Sequence, residues 1–151
     1  NIYKNCYTDN ISNNIEVIKK YIDDLAMKKS NVEGLIVIYG LQKFVDSIGD
    51  NKILEELSNT LKKYEKISIL VVDDVTKIKK YAFETWFKDI SNTNSGIWIG
   101  RGISDQSLLH VSNMKREMLA DIKDDMGYVI EDGATIFTKF IDFITESTDK
   151  L

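Results

Sequence analysis

A chain of 151 residues with 43% hydrophobic content has material for one sizeable core, so a single domain is expected. Its 24 acidic and 20 basic residues leave a net charge of −4. With a sequence pI near 5.1, it has no basic field to hold a phosphate backbone, which excludes nucleic acid as a direct partner. The single cysteine, Cys6, cannot form an internal disulfide, and with the lone His110 it falls short of a zinc ligand set. These counts point to a reducing compartment and no structural metal.

No apolar run approaches the roughly 20 residues that span a bilayer, and the first residues carry no signal-peptide pattern, so no membrane insertion is expected of this segment. The chain starts at Asn1 rather than a methionine, which suggests a piece of a longer protein, with residues 1–12 as linker or frayed terminus. Proline is absent, so glycine and Asn/Asp/Ser clusters carry the punctuation.

In chain order, Asn13-Asn14-Ile15-Glu16 resembles a capping box. Ile15, Ile18, Tyr21, Ile22, Leu25 and Ala26 follow at helical spacing, predicting a helix to about Lys28 and then a polar loop. Leu35 to Tyr39 is a continuous, β-branched apolar run, the pattern of a central strand buried on both faces. Leu41, Phe44, Val45 and Ile48 mark a short helix stopped by Gly49; Asp50 or Asn51 caps the next, with Ile53, Leu54, Leu57, Leu61 and Tyr64 as its stripe.

Ile67 to Val72 is a second buried strand ending in Asp73-Asp74, followed by a short helix over Val75 to Lys80 and the aromatic group Tyr81, Phe83, Trp86 and Phe87. Ile97 to Ile99 supplies a third strand between Gly96 and Gly100. A brief helix from Asp105 (Leu108, Leu109, Val111) and a longer one (Met114, Met118, Leu119, Ile122) ending near Gly127 are expected next. Tyr128 to Ile130, the Asp132-Gly133 turn and Ile136 to Ile144 then form a hairpin, with residues 146–151 as a tail. This order predicts an α/β fold over residues 13–145: a mainly parallel sheet flanked by helices, with a C-terminal antiparallel hairpin.

The acidic pair Asp73-Asp74 at a strand end has two readings. It could hold Mg²⁺ or accept a phosphoryl group, as a receiver-like domain would, or one carboxylate caps the following helix, which is the favoured reading. No Gly-x-x-x-x-Gly-Lys-Ser/Thr stretch occurs anywhere in the chain, so it carries no P-loop. Gly100-Arg101-Gly102 is too short for a dinucleotide fingerprint and suits a tight turn with Arg101 exposed. His110 lacks a Ser or Cys partner at readable spacing. Trp86 and Phe87 are either core or a binding surface.

The stretch Gly96-Ile-Trp-Ile-Gly-Arg-Gly-Ile-Ser-Asp-Gln106, with upstream Trp86-Phe87-Lys88 and downstream Gly127-Tyr-Val-Ile-Glu-Asp-Gly133, resembles the C-terminal ATPase domain of the EssC-type membrane ATPases of type VII secretion, in the FtsK/SpoIIIE family. The likeness runs from about Ile15 to Phe143. It implies a partial RecA-like, P-loop NTPase-like three-layer fold, with the P-loop preceding residue 1 and ATP and Mg²⁺ as possible ligands of the parent protein. Motor members carry Walker B acids on the strand that resembles Leu35 to Tyr39. Here Tyr39, Gly40 and Leu41 occupy that region, so a degenerate domain without catalysis or cofactor of its own is expected. The resemblance further implies a place on the cytoplasmic side of the membrane within a membrane-anchored protein. Its partners would be neighbouring domains, other subunits and WXG100-type secreted proteins, with Arg101, Asp105, Gln106, Trp86 and Phe87 as candidate contacts.

Overall fold

The computed structural model describes residues 12–27, 33–64 and 66–140. The chain divides into two compact units, Asn1–Ser91 and Asn92–Leu151, each with its own cluster of buried apolar side chains. Among the described residues no helix is long and apolar enough to cross a membrane. Ser12, the last residue of the expected linker or frayed terminus, opens the first helix; residues 1–11 with Cys6, the tail over residues 146–151 and the end of the last apolar run (Ile141 to Ile144) lie outside the described residues.

The first unit comprises α1 (Ser12–Met27), β1 (Gly34–Tyr39), α2 (Leu41–Ile48), α3 (Asn51–Lys62), β2 (Ile67–Val72), α4 (Val75–Lys79) and α5 (Thr85–Ile90). Its punctuation follows the sequence. Gly40 and Gly49 take left-handed φ angles of 82° and 65°, ending β1 and α2 without a Cβ clash. The Asp50 carboxylate then accepts from the Lys52 amide at 2.9 Å to open α3.

β1 and β2 pair in parallel, Gly34 with Ile67 through Tyr39 with Val72, and α2 and α3 form the crossover that a parallel pair requires. Ile36 and Ile38 point inward with Ile22, Leu41, Leu54, Leu57, Leu61, Trp86 and Phe87. β1 starts tight against α1, since a Cβ on Gly34 would sit 2.5 Å from Leu25 Cδ1. Both strands were expected to be buried on two faces, but their burial alternates residue by residue. An all-apolar run hides that alternation, because sequence hydropathy reports what a face tolerates and not what covers it.

The second unit contains β3 (Gly96–Ile99), two single-turn 3₁₀ segments (Ile103–Asp105 and Arg116–Leu119), β4 (Met126–Glu131) and β5 (Ala134–Lys139). The sheet is antiparallel, in the order β3-β4-β5. The C-terminal hairpin is as expected: Asp132 (φ 49°) and Gly133 (φ 79°) make a two-residue turn with both central residues left-handed.

Two expectations are corrected here. β3 does not extend a parallel sheet but pairs antiparallel with β4, Trp98 opposite Tyr128; the structure is α/β with a two-stranded parallel sheet and a three-stranded antiparallel one. The helices expected after Asp105 and around Met114 to Ile122 are also replaced by the two short 3₁₀ turns. Their amides have other acceptors: Leu108 and Leu109 donate to the Gln106 side chain, His110 to the Thr93 carbonyl and Ser112 to the Gly133 carbonyl. Such competition draws a weak amphipathic segment out of helix. Met118 still reaches the core at 3% exposure, beside Ile103, Tyr128 and Ile130.

Candidate functional site

The C-terminal ends of parallel strands are where open α/β sheets place ligands, and here that edge holds Tyr39, Gly40, Asp73 and Asp74. Asp73 is the most committed group. Its Oδ2 accepts from the Gln42 amide at 3.0 Å, and its Oδ1 from the Asp74 amide at 2.8 Å. The Lys77 ammonium stands 3.2 Å from Oδ1, and the carboxylate side chain is only 6% exposed.

The Gln42 amide bond is the main reason why the Asp73 carboxyl titrates below the usual carboxylate range; burial opposes it, and the Asp74 amide and Lys77 assist. Asp74 caps α4, its Oδ1 accepting from both the amide and the hydroxyl of Thr76. These bonds, the hydroxyl's first, lower its pKa as well. Around them Lys80 Nζ donates to Gln42 Oε1 and Gln42 Nε2 to Asp46 Oδ1, each at 2.8 Å. Tyr81 nearby has its phenol pKa raised, by burial first and then by Asp46 and Asp73.

Both acids are therefore acceptors for backbone amides. A phosphoacceptor or Mg²⁺ ligand needs oxygens turned to solvent in company with further acids. Among the described residues no group of three or more His, Cys, Asp or Glu is placed to hold a metal ion.

The Gly96 to Gln106 stretch is a strand and a turn. Gly100 and Gly102 have φ of 81° and 85°, and Trp98 Nε1 donates to the Arg101 carbonyl at 3.1 Å, closing the loop beneath an exposed Arg101. Asp105 is exposed and accepts from the Ser104 hydroxyl at 3.2 Å. Gln106 is half-buried and braces the loop: Oε1 accepts from the Leu108 and Leu109 amides, and Nε2 donates to the Leu109 carbonyl, all at 2.7 Å. Of the candidate contacts, Arg101 and Asp105 are the exposed ones. Trp86 and Phe87, 3% and 6% exposed, are core residues in edge contact; the exposed aromatic is Phe83, with Lys88 Nζ 5.7 Å from its ring centroid.

His110 borders an open hollow of about 360 Å³ with Thr93, Gln106, Leu109 and Met114. Its Nε2 lies 3.5 Å from Ser112 Oγ, and among the described residues no acid is hydrogen-bonded to the ring as the third member of a nucleophilic triad would be. What sequence reading missed is the outer face of β1 and β2, where Leu35, Val37, Tyr39, Leu70 and Val72 are all exposed. Compared with known protein families, curated proteins and solved structures, the chain gives no significant match.

Proposed function

We propose that this chain is a non-catalytic part of an FtsK/SpoIIIE-like ATPase domain of a type VII secretion motor, and that it works by docking neighbouring domains, subunits or helical substrates. The family assignment rests on the motifs Gly96 to Gln106 and Gly127 to Gly133. The non-catalytic reading is supported by one observation above the rest: the acids at the ends of the parallel strands, Asp73 and Asp74, each cap a helix. Tyr39 and Gly40 stand at the end of β1, where a motor domain would present carboxylates to Mg²⁺.

A module of this kind contributes position rather than turnover. Its apolar outer sheet face and the exposed Arg101 turn are surfaces suited to that work. The parent protein would bind ATP and Mg²⁺ through residues on other segments. Calorimetric titration of the chain with Mg-ATP is expected to give no heat of binding; micromolar affinity accompanied by phosphate release would overturn the non-catalytic reading.

A further inference from the structure

One peptide group of the second unit is held from both sides. The Gly133 N–H donates to the Asn94 carbonyl at 3.0 Å, and the Gly133 carbonyl accepts from the Ser112 amide at 2.9 Å. Gly133 is buried although Asp132 beside it is exposed, and a Cβ on it would overlap Ser112 Oγ and stand 3.1 Å from His110 Cδ2. The group is thus clamped between the loop before β3 and the loop after it.

Asp132-Gly133 is also the only Asp-Gly pair in the 151 residues, and no Asn-Gly pair occurs. Glycine carries no side chain to keep its nitrogen from the preceding Asp side chain. When that nitrogen bonds to Cγ of the neutral Asp132 carboxyl, the N–H proton and the carboxyl hydroxyl leave as water and a five-membered succinimide closes. Water then adds to either carbonyl. Addition at the Asp132 main-chain carbonyl breaks the original peptide bond and leaves Gly133 joined through Cγ, an isoaspartyl link. One water leaves and one returns, so no other reactant enters.

We propose that Asp132 is a site of spontaneous isoaspartyl formation gated by this clamp, reacting only when the Gly133 N–H leaves the Asn94 carbonyl. A nitrogen whose proton is held by a carbonyl, in a buried peptide plane fixed by Ser112, can neither release the proton nor turn its lone pair toward Cγ. Cyclisation and hydrogen exchange of the Gly133 amide therefore share one opening event, and each proceeds at its open-chain rate multiplied by the open population. The product adds a methylene to the main chain inside the two-residue turn that the Glu131–Ala134 pair closes, so a modified chain does not re-form the clamp. The inference is independent of the docking reading, and Mg-ATP turnover would leave it in place.

The test incubates the full chain, folded and in guanidinium chloride, in mildly acidic buffer. Peptide mapping with electron-transfer fragmentation locates isoaspartate, and NMR follows exchange of the Gly133 amide. Isoaspartate at position 132 is expected in the denatured chain and should form about tenfold more slowly, or slower still, in the folded one, the slowing matching the protection of the Gly133 amide. Gln106→Leu, which loosens the loop leading to Ser112, should speed isomerisation and exchange together. Asp132→Asn keeps a pair suited to the turn and reacts by loss of ammonia, so its deamidation should be slowed by folding to the same degree. Equal rates in folded and denatured chains, no isoaspartate in the denatured chain, or isomerisation of the folded chain faster than its Gly133 exchange allows would each overturn the proposal. So would a variant that changes one rate without the other, or an isoaspartyl chain whose Gly133 and Ser112 amides regain full protection.

Discussion

Asp73 caps α2 from a distance: its carboxylate accepts the Gln42 amide across 31 positions of sequence, because Gly40, the residue before the helix, has no side chain with which to do so. One buried acid thus ties the turn after β1 to the turn after β2. The neighbouring Asp74 serves its own helix locally.

Removing this bridge should be costly for a single side chain. Asp73→Ala is expected to lower stability by about 2 kcal/mol, the upper end for loss of a helix cap, because a partly buried amide and Lys77 lose their acceptor together. Urea titration of the variant and the parent chain measures it; a difference within error would remove the bridging role.

The same carboxylate sets an acid limit. Its folded pKa is depressed below the unfolded value of about 3.9, so the stability it contributes is fully present above that value and lost as the pH falls through the folded pKa. Asp74 acts in the same direction. Asp73→Asn should therefore flatten the decline in stability below about pH 4 while changing little of the slope between pH 5 and 8. Denaturation midpoints followed down the pH scale test this, and an unchanged acid slope would contradict it.

Gln106 is predicted to be a structural residue. Gln106→Leu should cost about 2 kcal/mol, since it strands two amides and a carbonyl. Gln106→Glu should cost less, keeping acceptors for Leu108 and Leu109 but meeting the Leu109 carbonyl without a proton. Equal stability of the two variants in chemical denaturation would show that the triple hydrogen bond is not what holds the loop.

Glycines of the second unit should rank by their surroundings. A Cβ at Gly127 would collide with the Trp98 carbonyl oxygen, backbone that has no room to move, and come within 2.8 Å of Phe140 Cε2 on the ring, so Gly127→Ala should cost at least ~3 kcal/mol. Gly100 has open space around it but φ of 81°, so Gly100→Ala should cost only about 1 kcal/mol. Thermal melts of the two variants in parallel give the order, and a reversal would mean that the β3–β4 pairing is wrong.

The aromatic group between β2 and β3 divides into core and surface. Trp86→Ala should cost about 3–5 kcal/mol, whereas Phe83→Ala, at a site 85% exposed, should stay within ~0.5 kcal/mol. Unfolding of both by denaturant distinguishes them. Similar losses would return Phe83 to the core.

Much of this was legible wherever one residue type leaves the backbone little choice. Gly49-Asp50 announces the end of α2 and the start of α3, and Asp132-Gly133 announces the hairpin, because left-handed φ and side-chain capping are local demands. Pairing direction was not legible. Ile97 to Ile99 has the same composition as a parallel strand, and only the bonds from Thr93, Gln106 and Gly133 to the following loop show that no crossover helix forms there. The roles of Trp86 and Phe87 were ambiguous for a related reason, since an aromatic cluster looks alike in a core and on a surface until its neighbours are known. The outer sheet face was hidden by its own uniformity.

Apart from the Gln106 side chain, the loop that replaces the expected helices in the second unit is tied to the sheet by main-chain atoms: His110 to Thr93, Ser112 to Gly133, and Gly133 in turn to Asn94. Peptide groups are the same whatever side chain they carry. Relatives of this chain should therefore vary freely in the side chains of this segment, Gln106 apart, yet resist inserted or deleted residues. A change in length would move every amide off its acceptor, which no substitution at an exposed position does.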